Sequence, residues 1–153
     1  MAEQLYCTVV TDVGSAKIAQ AIQSGDPYMI VNAAVGDGGG AYYMPTPAQT
    51  ELRREVWRGQ IAACEIDQNS PNMLNVKFII PPDVGGWTVR EACLLDIDGG
   101  MLAVCNLPDT QKAVRMIRVH IASPMYCAIC LKFTVAVIAV SFVKFHDAVY
   151  PAV

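Results

Sequence analysis

The apolar and polar positions of this chain change period three times. From Thr11 to Pro27, "TDVGSAKIAQAIQSGDP", Val13, Ala16, Ala19 or Gln20, and Ile22 recur at helical spacing. Thr11 or Asp12 supplies an oxygen for the first unpaired N–H groups, and Gly25 and Pro27 end the helix. "YMIVNAAV", Tyr28 to Val35, is a β-rich run and reads as a strand. It leads into Gly36–Gly40, where Asp37 alone interrupts glycine. "TPAQTELRREVWRG" then predicts a short second helix, capped by Thr46 or Thr50 with Pro47 in its first turn.

Beyond that point the signals are β. "QIAACEID" and "MLNVKFIIP" predict two strands of a hairpin, joined by the turn-forming "DQNSPN". Trp87, Val89, Ala92 and Leu94 mark a further strand, "DIDGG" a tight turn, and "MLAVCN" the returning strand. Within the Trp87–Leu94 strand the Arg90–Glu91 pair reads as a solvated or cross-strand charge pair. "RMIRVHI" alternates as a strand would. Residues 125–143 are apolar apart from Lys132, Thr134 and Ser141. Nineteen residues reach the length of a membrane span. The β-branched content and the costly internal Lys132 favour two buried strands, and no membrane insertion is expected. The expected fold is α+β, an N-terminal helix and a short second helix packed on a largely antiparallel β-sheet.

Composition changes this picture in one respect. The chain has 153 residues, a length that suits one domain, yet only 16 % are charged, against roughly 25 % in an ordinary soluble chain. With a mean hydropathy of +0.34, part of such a surface is expected to be covered by a partner. The formal net charge of −3 and scattered basic residues give no reason to expect nucleic-acid binding. The N-terminus lacks a basic region and a long apolar stretch, so no signal peptide is read there. Of the six cysteines only Cys127 and Cys130 have metal or redox spacing, and without a second pair buried thiols are the better reading.

Candidate chemistry is sparse. A phosphate-binding loop needs Lys-Ser/Thr after its last glycine, but Gly40 is followed by Ala-Tyr-Tyr-Met-Pro. No helix opens there, as a dinucleotide fingerprint requires. The alternative of a small nucleotide- or ligand-binding protein using Gly36–Gly40 is carried forward as the lesser one. There is no nucleophile elbow, and the two histidines stand in no evident relay, so no catalytic residue, metal ligand or cofactor is assigned and the chain is not expected to be an enzyme.

The order of the motifs goes further. Thr11, Gly14, Lys17–Ala19 and Ala21, then Ala34–Gly40, then Pro45–Pro47 with Gln49, Thr50 and Leu52, then Val56-Trp57-Arg58 follow one another. "IIPPDVGGWTVREACLLDIDGGMLAVCNLPDTQK" comes after them. In this arrangement the chain resembles the N-terminal domain of the phage tail-collar fibre proteins over residues 5–112. Cys93 and Leu95 depart from it, standing where the family tends to have Gly and Tyr. The resemblance implies a structural virion component that attaches a tail fibre to the tail baseplate for host-cell adhesion. It implies a homotrimer whose partners are baseplate or other tail proteins, made in the host cytoplasm and carried by a phage or prophage. Residues 1–112 would be the attachment domain, with 113–153 a strand-rich segment completing it and the shaft and receptor-binding tip absent. Interface candidates are Tyr42, Tyr43, Trp57, Trp87, Arg90 and Glu91, since aromatics dominate interface energetics. For both tryptophans core packing is the competing and better reading.

Overall fold

A computed structural model describes residues 4–25, 28–66, 68–69, 73–114, 129–136 and 143–145. The strands are β1 (Thr8–Val10), β2 (Tyr28–Gly36), β3 (Glu55–Ile66), β4 (Met73–Ile80), β5 (Trp87–Asp96), β6 (Met101–Lys112), β7 (Ile129–Ala136) and β8 (Val143–Phe145). They form a sheet ordered β1-β6-β5-β2-β3-β4-β7, every neighbouring pair antiparallel, and β8 runs parallel to the start of β2. The edges β1 and β7 come close together, so the sheet is curled.

One α-helix, α1 (Asp12–Ser24), is present among the described residues. Thr11 caps it, accepting from Gly14 N–H at 3.0 Å, and Gly25 closes it in the left-handed conformation at φ 76°. Its buried positions are Gly14 and Ala21, with Ile18 packed on the core, whereas Ile22 is half exposed. The inward stripe is thus a different one from that read in the sequence. Thr11 sets this rotation: its N–H donates to the Leu102 carbonyl and its hydroxyl to that of Met101.

The expected second helix does not form, and the fold is mainly β, which corrects the α+β expectation. Residues 41–54 are loop, and β3 starts at Glu55, pairing with Gly36. A helix over this stretch needs the N–H groups of Arg53 and Arg54 for its own carbonyls. Both instead donate to the Glu91 carboxylate at 3.0 Å. Helix propensity is a weak prior, and a buried acceptor of this kind outweighs it.

Two clusters fill the two faces. β4 alternates strictly, sending Leu74, Val76, Phe78 and Ile80 into the larger cluster with Val35, Val89, Ala92 and Leu94. The smaller cluster joins Ala34, Cys93, Leu95, Met101 and Val104 under Leu52 of the 41–54 loop. Trp57 stacks on Phe78, centroids 5.9 Å apart, and Trp87 packs on the same cluster, in line with the core reading of both tryptophans.

No helix among the described residues is long and apolar enough to cross a membrane. Of the apolar stretch 125–143, residues 129–136 are the strand β7. The strand expected at "RMIRVHI" and Cys127 lie outside the described residues, as does most of the "DQNSPN" turn.

Candidate functional site

The glycine stretch ends β2 and turns through positive φ at Gly38 (68°), Gly39 (70°) and Gly40 (89°), a conformation costly for other residues. Asp37 holds it as the sequence predicts. Its Oδ1 accepts from Gly39 N–H at 3.0 Å, and its carbonyl from Gly40 N–H at 3.1 Å. Two further anchors have no local signature. The Arg54 guanidinium pairs with the Asp37 carboxylate, holding that carboxyl below its ordinary range. Glu91, 0 % exposed, reaches in from β5.

Glu91 is the centre of the arrangement. Oε1 accepts from Gly38 N–H at 3.1 Å and Arg54 N–H at 3.0 Å. Oε2 accepts from the Tyr43 hydroxyl at 2.5 Å and Arg53 N–H at 3.0 Å. Four donors around a buried carboxylate are what make its burial tolerable. A side chain at Gly36 would overlap the Glu91 carboxylate and the Arg54 carbonyl, so only glycine fits there. Burial pushes the Tyr43 phenol far above its ordinary range, keeping it a donor. Gln49 donates to the Tyr43 oxygen at 2.9 Å, and Asn106 Nδ2 donates to the Tyr43 carbonyl at 3.0 Å and to that of Leu5 at 2.9 Å.

The inward aim of Glu91 follows from a bulge. Val89 pairs with Thr110 but Glu91 with Asn106, so the ladder shifts across Arg90. Both side chains reach the glycine turn, Arg90 by donating to the Asp37 carbonyl at 3.3 Å. Arg90 forms a bidentate pair with Asp109 at 2.8 and 2.9 Å, while Glu91 turns to the 37–54 loop.

The interface candidates thus separate. Tyr43 and Glu91 are buried in this node and Arg90 borders it. Tyr42 is half-buried on the outside, its ring edge-on to Tyr6 at 6.0 Å and its hydroxyl on the Leu5 carbonyl. Trp57 and Trp87 lie elsewhere, on the core. Sequence reasoning missed Arg54, Gln49 and Asn106, since nothing in their spacing ties them to residues 37 or 91.

The node also answers the phosphate question. The N–H groups of Gly38, Gly39 and Gly40 are already taken by Glu91, the Asp37 side chain and the Asp37 carbonyl. Two carboxylates stand where a phosphate would sit, so the turn is built to bind the protein's own acids. Burial pushes the Cys64 and Cys93 thiols up to about 12 and that of Cys105 higher still, which leaves them poor nucleophiles. No cluster of His, Cys, Asp and Glu suited to a metal occurs among the described residues.

Residues 1–140 match the family model described as phage tail-collar fibre protein, N-terminal. Over 108 residues, 70 % of this chain, the sequence is 40 % identical to a probable tail fiber protein of Escherichia phage P2. The aligned part spans 16 % of that relative's length. No solved structure matches.

Proposed function

This chain belongs to the phage tail-collar fibre protein family, and from that premise we propose that residues 1–112 attach a tail fibre to the tail baseplate. It acts there as a structural component of the virion and performs no catalysis. Residues 113–153 complete the same domain. The fibre is a homotrimer, synthesised in the cytoplasm of the host of a phage or prophage, and its distal parts serve host-cell adhesion. The observation that carries this reading is the family match over residues 1–140.

Two features support it. The aligned part is a small fraction of a long relative, as expected of a module that carries something else. The polar groups with catalytic chemistry, Asp37, Glu91 and Tyr43, are engaged with the chain itself. The exposed surface beside Tyr42 includes the apolar side chains of Leu5, Tyr6 and Met44. Tyr42 and its neighbours are therefore the contact surface proposed for another tail protein.

Reconstruction of tails carrying the full fibre tests the reading: density for this domain at the baseplate periphery is expected, with three copies per fibre by mass measurement. A stable monomer with no affinity for baseplate subunits would overturn it.

A further inference from the structure

The 41–54 loop lines an open, groove-like cavity of 380 Å³, a size at which side chains and small ligands bind. Fourteen residues without helix or strand are unusual inside a domain, and such loops commonly carry function. This one is held near its start by Glu91 and Asn106, which both bond Tyr43, and at its end by Glu91, which takes the N–H groups of Arg53 and Arg54, so its cavity exists before any partner arrives. Met44, Ala48 and Leu52 supply the apolar part of the lining.

Its charges are distinctive. Arg54 is paired with Asp37, Arg58 with Glu55 and Arg90 with Asp109. Arg53, also in the lining, has no carboxylate partner among the described residues. Its guanidinium lies 3.9 Å from the centroid of the Tyr43 ring. Tyr43 is itself fixed by Glu91, Gln49 and Asn106. A guanidinium stacked on a locked ring has surrendered much of its rotamer freedom and keeps its fork of N–H donors, the arrangement that binds a carboxylate bidentately. Glu51 places one acid on the same lining, so the site favours a ligand whose carboxylate meets Arg53 and whose remainder is uncharged.

We propose that this cavity seats an acidic, apolar-flanked peptide segment of another tail protein, with Arg53 binding its carboxylate and Met44, Ala48 and Leu52 receiving an adjacent apolar side chain. The proposal rests on the attachment reading above and names the partner's chemistry.

Two measurements test it on the full chain. In an NMR titration with acetyl-Leu-Glu-Leu-amide, saturable shifts are expected at Arg53 Nε–H and the amides of residues 43–53. Binding should be about tenfold weaker for acetyl-Leu-Gln-Leu-amide and for Arg53→Gln, and unchanged for Arg58→Gln. Equal affinity for the two peptides, no saturable shift, or retention in a folded Arg53→Gln variant overturns the proposal. Acetate binding as tightly as the peptide also overturns it, by reducing the cavity to a small-carboxylate site. In the second measurement, Arg53→Gln should lower co-sedimentation of the fibre with tail particles by about tenfold. Equal co-sedimentation of variant and wild type sinks this proposal and leaves attachment standing. Failure of the wild type to co-sediment sinks both.

Discussion

Two turns in this protein are built on aspartate and glycine, Gly36–Gly40 and Asp96–Gly100, and they are held in different ways. In the second, everything needed is within five residues. Asp96 Oδ1 accepts from Asp98 N–H at 2.9 Å and Gly100 N–H at 2.6 Å, and the backbone closes with Asp96 N–H on the Gly100 carbonyl. Lys17 adds an outside charge, 3.3 Å from Asp96 and 3.1 Å from Asp98. In the first, Asp37 does the local part, but Gly38 and the far end of the loop depend on Glu91, which is distant in the chain. A turn closed by its own residues is decided locally. One closed by a strand across the sheet exists only once that sheet has formed.

The comparison can be broken most directly at its two acids. Glu91→Ala leaves three backbone N–H groups and the Tyr43 hydroxyl without their acceptor, and should cost about 3–5 kcal/mol in urea unfolding. Asp96→Ala orphans two N–H groups beside solvent and should cost about 1–3 kcal/mol. Equal losses would mean the two turns do not differ as described. The backbone supplies a control. Gly39 and Gly99 sit at φ 70° and 84° with open space around an added Cβ. Gly39→Ala and Gly99→Ala should therefore each cost about 1–2 kcal/mol, and a large difference would place the distinction in the backbone instead.

Acid sharpens the same contrast. The Arg54 guanidinium lowers the folded-state Asp37 carboxyl below its ordinary 3.8. The stability this supplies is complete above that value and is lost as pH falls below it, through the folded-state value. The urea midpoint of Asp37→Asn should consequently fall less than that of wild type when the pH is lowered from 6 to 3. A parallel decline in both would remove the Asp37–Arg54 pair from the account. The smallest effect is expected at Lys17, whose partly exposed pair is screened by solvent. Lys17→Ala should shift the melting temperature slightly, and the difference should vanish in high salt.

Much of the fold was legible because its causes are local. Thr11 and Gly25 mark the ends of α1 at the positions where the helix is capped. The alternation in "MLNVKFII" matches the buried side of β4, and "DIDGG" is the tight turn it spells. The 46–58 segment misled for the opposite reason. Gln49, Glu51, Leu52, Arg53 and Arg54 are good helix formers, yet their backbone is claimed by Glu91 and by the pairing of Glu55 and Trp57 with β2. Similarly, Arg90–Glu91 looks like one polar pair along the chain. Their partners depend on where β6 pairs, which sets Glu91 opposite Asn106 and brings Asp109 to Arg90.

The residue pattern alone thus carried α1 and its caps, the β runs, the conformational role of the glycines and the family likeness. Each of these rests on neighbours a few positions apart or on motif order. Only the tertiary structure decided that residues 41–54 form a pinned loop, that Glu91 is buried at its centre, and that Arg53 stacks on Tyr43 with no carboxylate partner among the described residues. A buried carboxylate takes its donors from whatever segments the folded sheet brings to it, and no spacing along the chain records which those will be.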